Sequence, residues 1–489
     1  MKRIERVLQI ISKNRFFPYF FLVLVLADVC YSFLQNYYMM SLDGDMAGII
    51  WPSSSYSKVL KDPFGLGVVL RNEVYAATNR FFTHWFMSSY FKSVPLLLQH
   101  FVSPVKSVFL SMAIARTFFQ VIIIGLIAAF INRTYGSKSN IFIAAALVTT
   151  PFFQMSGYER FMGITDRSIT YAFSYSLSLA FVLFYFLQFY KTNTDKFSLT
   201  RHVLLALTAI VIAFGGPIGA PIILIVCPSV LLLLTYNNQT NTSNNSFFKS
   251  IKNSVSKIPS SILFHFSLIT CLCAYSFYVG RNNEENLWTP LSLSERYALL
   301  PKGFAIIVSK NLGIPLLMSA CFFNIIFFSR IKSPDSKKTF TLIKYLGAFS
   351  FIYLVLLPLG GYRSYRPFII RYDTFAPITI SLIFIYGITS IYLISYHKGI
   401  TKLFIIAATT AIMFHYTKAD KIDWDGNKCD KDALFYLASS PDKIVYLNNW
   451  CSVMSWNKIT DYSWSETNCL LLKYWGVIKE DKLYYQKEE

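Results

Sequence analysis

Apolar runs of about 18 residues or more recur along the whole of this chain. Each is long enough, as a helix, to cross a hydrocarbon core of ~30 Å. No other feature constrains the fold as much, because in lipid every backbone N–H and C=O must find its partner within the protein, and a helix achieves that within one segment. Composition agrees with this reading. Of 489 residues, 54% are hydrophobic and 15% charged, with a mean hydropathy of +0.43. A soluble chain carries roughly a quarter charged residues. The net charge of +20 would suit nucleic acid if the basic residues formed one stripe. They fall instead in short clusters between apolar runs, so no nucleic-acid partner is expected. The fold class is an all-α polytopic membrane protein in contact with a lipid bilayer.

Lys2, Arg3, Arg6, Lys13 and Arg15 precede the first run and place the N-terminus in the cytoplasm. That run lacks a small-residue cleavage site and is read as a retained span. It covers about 16–35, and further spans are predicted at about 107–131, 140–156, 169–190, 202–215, 218–236, 260–280, 304–329, 340–359, 375–396 and 400–416, about eleven transmembrane helices in all. Gly215-Gly216-Pro217 breaks a longer apolar run into the fifth and sixth. Residues 36–106 contain no clean apolar run and read as a first outer (periplasmic) loop with helices along the interface. The loops assigned to the cytoplasm carry Arg133 and Lys138; Lys191, Lys196 and Arg201; Lys249, Lys252 and Lys257; Arg330, Lys332, Lys337 and Lys338; and Lys398 and Lys402. A miscounted span would have inverted this alternation. It leaves two domains, a transmembrane one over 1–416 and a small periplasmic C-terminal one over 417–489. The tail holds Cys429, Cys451 and Cys469, so one disulfide and one spare thiol are expected in an oxidising compartment. Its tryptophans, Trp424, Trp450, Trp456 and Trp464, fit either a small core or aromatic platforms.

The outer loops hold the residues that can carry chemistry. Asp43-Gly44-Asp45 follows the first span almost at once. Two carboxylates flanking a glycine suit a divalent metal or a general base, and Asp-Gly is also a common turn. No cofactor is expected, a divalent ion between Asp43 and Asp45 being the one metal option. The second outer loop brings Glu159, Arg160, Asp166 and Arg167. A later one brings Arg363, Arg366 and Arg371, three arginines against the positive-inside trend. Guanidinium groups bind phosphate bidentately, so a lipid phosphate is their natural partner, with headgroup anchoring as the plain alternative. Lys310, near the outer end of its span, reaches for the same group. Inside the spans Asp28 and Arg116 are expected to neutralise each other.

This layout resembles the GT-C superfamily of membrane glycosyltransferases, on the acidic pair Asp43 and Asp45 in a long first loop, the charged second loop, and Arg371-Tyr372 before a late span. In size and tail it is most similar to the serotype-converting O-antigen glucosyltransferases of bacteria and phages. The resemblance implies an inner-membrane enzyme that moves a hexose, glucose in that family, from undecaprenyl phosphate to a lipid-linked or growing O-antigen (lipopolysaccharide) glycan at the periplasmic face. It implies Asp45 or Asp43 as base, Arg371 with Arg363, Arg366 or Lys310 on the donor phosphate, and Glu159, Asp166 or Arg160 orienting the acceptor, without a metal. An O-antigen polymerase or ligase, and a transporter or flippase of a lipid-linked sugar, are the alternatives.

Overall fold

The computed structural model of the protein describes residues 16–52, 54–136, 138–156, 162–239, 247–288, 290–309 and 312–487. Among these, eight helices are long and apolar enough to cross a membrane: Phe17–Met39, Pro104–Thr134, Ile169–Phe189, Gly219–Asn237, Ser260–Gly280, Pro334–Gly360, Tyr372–Tyr396 and Gly399–Ala419. The chain is therefore an all-α, membrane-embedded protein. Two shorter apolar helices, Ser139–Phe153 and Leu199–Ala213, stand where further spans are expected.

The run expected as one span over 304–329 is a bent pair of helices, either a broken span or a re-entrant loop. It forms Leu293–Ser309 and Gly313–Ser329, bent by 82° from each other. Gly313 and Pro315 suit the first turn of a helix, whereas a proline in mid-helix removes a hydrogen bond and clashes with the preceding turn. A new helix starts there for that reason. Gly215-Gly216-Pro217 acts as a break as well, separating Leu199–Ala213 from Gly219–Asn237. Gly216 also lets the break approach its neighbour, since a Cβ there would collide with the Ser174 carbonyl.

Two of the loops marked by basic clusters meet at one end of the bundle. Arg133 reaches the Tyr190 carbonyl (3.4 Å), Lys191 the Thr134 carbonyl (2.9 Å) and Arg201 the Gln188 carbonyl (2.5 Å). The tail lies at the other end and shares its core with the first loop. Met40, Met46 and Ile50 pack in one cluster with Phe91, Leu434, Leu472 and Trp475. Asn427 ties the tail to the end of the first span through the Tyr37 and Met40 carbonyls (2.8 and 2.9 Å), and the Trp475 indole donates to Phe91 (2.8 Å). Strands β1 (Ile444–Tyr446) and β2 (Leu483–Tyr485) pair in parallel. Cys429 and Cys451 form the disulfide, and Cys469 is the buried spare thiol. Of the tryptophans, Trp475 fills the core, while Trp424, Trp450, Trp456 and Trp464 are all at least half exposed.

Candidate active site

Asp43 is a clamp between two loops. Its carboxylate accepts from the Ser168 hydroxyl (2.8 Å), the Thr170 hydroxyl (2.8 Å) and the Thr170 backbone N–H (3.0 Å). A fourth bond comes from the Asp45 N–H (3.2 Å), closing the turn. Ser168 caps the helix that opens the third span, so Asp43 places negative charge at a helix N-terminus, where it is stabilised. With both oxygens committed, Asp43 does not suit a divalent ion, which would have to displace these donors. Among the described residues no group of three or more His, Cys, Asp or Glu side chains is arranged for a metal.

Asp45 is differently placed. It sits at the N-cap of Met46–Ile50 without making a side-chain cap bond. Burial, and next the charge of Asp43, push its carboxyl up to about 6, while a hydrogen bond from the Trp456 side chain pulls it back. Glu285 and Arg80 also act on it electrostatically. Between the two aspartates, Gly44 touches the tail directly: a Cβ there would lie 2.5 Å from the Trp456 nitrogen and 2.6 Å from its ring. Gly44→Ala should therefore push the tail off the first loop. Overpacking of this kind costs ~1–3 kcal/mol, which a lowered unfolding midpoint in detergent would report. An unchanged midpoint would mean that Trp456 yields freely.

The second loop is positioned by an arginine from within the membrane. Arg116, fully buried, donates to the Thr165 carbonyl (2.5 Å), the Asp166 carbonyl (2.7 Å) and the Asn36 side chain. The expected pairing with Asp28 does not occur, and the charge that Asp28 feels is Asp420. Five donors on one guanidinium can be satisfied by carbonyls as well as by a carboxylate, which residue spacing does not reveal. Asp166 accepts from the Ser168 N–H (2.9 Å), and burial, then the charge of Asp373, push its carboxyl up to about 6. Glu159, Arg160 and Lys310 lie outside the described residues.

The three arginines of the later loop all have acidic partners. Arg363 binds Glu285 (2.7 Å) and Asn286 (2.6 Å). Arg366 (3.3 Å) and Arg371 share Asp373, which is wholly buried. The third span opens with a π turn over Ala172–Ser176, a feature frequent at functional sites. It carries Tyr175, whose hydroxyl accepts from Arg366. Arg371 lies over the Tyr171 ring (4.5 Å), which stacks in turn on Trp456 (5.7 Å). Glu285 and Arg80 are site residues that sequence reasoning missed. Burial tends to raise Glu285, but Arg80 and Arg363 outweigh it and hold the carboxyl below its usual range.

Two cavities flank this constellation. The larger, about 650 Å³, is lined by Asp43, Asp166, Arg371, Asp430, Trp450 and Trp456, among others. The smaller, about 260 Å³, takes Arg80, Arg363 and Arg366 together with apolar residues such as Leu224, Phe277 and Leu356 from the spans. No carboxylate is among its described lining residues. One cavity is thus acidic and aromatic, the other basic and apolar, and Asp45 feels groups from both. Comparison with protein-family models, with curated proteins and with solved structures returns no match, so the functional reading rests on the residues and their geometry.

Proposed function

We propose that the protein is a membrane glycosyltransferase that moves a hexose, glucose by its resemblance, from a polyprenyl-phosphate sugar to an O-antigen (lipopolysaccharide) glycan. It would work at the periplasmic face of a bacterial inner membrane, with the N-terminus in the cytoplasm and the tail outside. The observation that carries this reading is a basic, apolar cavity and an acidic, aromatic one, with Asp45 acted on by Arg80 of the first and by Asp43 and Trp456 of the second.

The chemistry follows from that placement. A lipid phosphate enters the smaller cavity, its chain against the span residues and its phosphate on Arg366, Arg363 and Arg80. An acceptor hydroxyl approaches through the larger cleft. Asp45 takes its proton as the acceptor oxygen bonds the anomeric carbon and the bond from that carbon to the phosphate oxygen breaks. The electron pair leaves with the lipid phosphate, whose charge the arginines stabilise. Arg371 and Asp166 bridge towards the acceptor side, and Asp43 holds the loops in register.

The test is hexose transfer by the full chain in nanodiscs, with undecaprenyl-phosphate-glucose and extracted O-antigen glycan, read by mass spectrometry. One added hexose per acceptor is expected. No transfer from any of a set of polyprenyl-phosphate hexoses would sink the reading. A second reading, a transporter of a lipid-linked sugar, is favoured by the two helix breaks, at Gly215–Pro217 and before Gly313, because transporters bind substrate at discontinuous helices. It requires lipid-linked sugar to change leaflets in vesicles, with no need for Asp45. A polymerase or ligase would likewise tolerate loss of Asp45 but fail without Arg366.

A further inference from the structure

A neutral sugar presents two kinds of surface, an apolar C–H face that packs on aromatic rings and a rim of hydroxyls that need acceptors. A site for it is therefore an exposed aromatic face beside carboxylates that the protein leaves unpaired. The tail contains that combination. Trp450 is 73% exposed at the wall of the larger cleft. Since Trp475 already fills the core, Trp450 is not needed there.

Asp430, on helix Lys428–Ser439, also lines the cleft and is only 3% exposed. No hydrogen bond from a described residue reaches its carboxylate, and Oδ1 is sealed from solvent without a partner. Leaving such a group unpaired is costly, and each one in a native structure calls for an explanation. Lys431, whose charge acts on it, is engaged over the Tyr37 and Phe109 rings (4.4 and 4.9 Å). Burial pushes Asp430 up to about 7, with Lys431 pulling the other way.

The two residues are fixed relative to each other by one covalent link. Asp430 follows Cys429 in the chain and Trp450 precedes Cys451, and these cysteines form the disulfide. Hydrogen bonds brace the Trp450 segment further. The Asn449 side chain donates to the Cys451 carbonyl (3.0 Å), and the Gln486 side chain donates to the same carbonyl (2.6 Å) and to Asn449 (2.8 Å). Groups held in place before a ligand arrives lose less on binding it.

We infer that the tail carries a carbohydrate-binding subsite of its own, in which Asp430 accepts hydroxyls of a neutral oligosaccharide through Oδ2, the oxygen that is not sealed, and Trp450 stacks on its ring. Asp43, Asp166 and Asp423 share the cleft wall with Arg167 and Arg371, so the wall has no excess of positive charge to select an anionic ligand. The subsite rests on the transferase reading only for its purpose, which would be to hold the acceptor glycan while Asp45 acts on it.

The experiment is glycan-array binding by the full-length protein in labelled nanodiscs, against neutral tetrasaccharides containing rhamnose, galactose or N-acetylglucosamine. Wild type should bind at least one of them. Asp430→Asn and Trp450→Ala should each weaken that binding roughly 10- to 100-fold, and Trp450→Phe should retain most of it. Monodisperse nanodiscs with an unchanged melting midpoint identify folded variants. Binding that depends on Asp430 and Trp450 in a protein without transferase activity would keep the subsite and remove only its purpose. No binding by wild type, or folded Asp430→Asn and Trp450→Ala variants that bind like wild type, would overturn the inference even if hexose transfer is observed.

Discussion

Asp45→Asn should lower hexose transfer by about 10²–10⁴-fold, the usual worth of a general base, with no loss of folded protein. Asp45 makes no cap bond and sits beside a second carboxylate, so removing its charge relieves repulsion. Asp43→Asn should behave differently. It breaks a clamp of four hydrogen bonds between two loops, so melting midpoint and activity should fall together. The pH profile follows from the same placement. A base must be ionised to accept a proton, and burial with Asp43 raises Asp45 to about 6. The value of kcat/KM should therefore climb as pH rises through about 6 and level off above it. Asp166 titrates in the same range, so Asp166→Asn must keep the inflection if Asp45 is its source. A flat profile between pH 5 and 8, or full activity in Asp45→Asn, would remove Asp45 from the chemistry.

The largest loss of stability should come from Asp373→Asn. Its carboxylate is wholly buried and is shared by Arg366 and Arg371, and it accepts the Thr374 N–H at 2.7 Å. The amide nearly matches the shape of the carboxylate but leaves two guanidinium groups without a counter-charge. Breaking a buried pair by removing one partner costs ~3–5 kcal/mol. Chemical or thermal unfolding in detergent measures this directly. Adding Arg371→Gln to Asp373→Asn should recover part of the loss, since one uncompensated charge is gone. If Asp373→Asn unfolds like wild type, the cluster is solvated more than its burial implies.

The membrane spans were legible because apolar length is a one-dimensional signal, and nearly every predicted run lands on a helix. Of the basic clusters, those around Arg133 and around Lys191 and Arg201 lie on loops that touch each other. Pairings across the bundle were not legible. Nothing in the spacing says that Arg116 would hold the Thr165 and Asp166 carbonyls rather than Asp28, or that Glu285 would meet Arg363. Arg80 was missed because it lies in a mixed stretch without periodicity, just before helix Phe81–Leu98. The motif Asp43-Gly44-Asp45 turned out to divide its labour: the first carboxylate is saturated with donors, the second is not. Three of the four donors come from Ser168 and Thr170, more than a hundred residues away.

The contact between Gly44 and Trp456 ties nearly opposite ends of the chain together. A ribosome working at 5–20 residues per second reaches Trp456 about 20–80 s after Asp45. By the end of that interval the nascent protein holds the first loop and its spans, but not the wall that closes around the aspartates. Termination anywhere before the tail would leave a chain fit to insert in lipid yet without its cleft, so only completed molecules become competent.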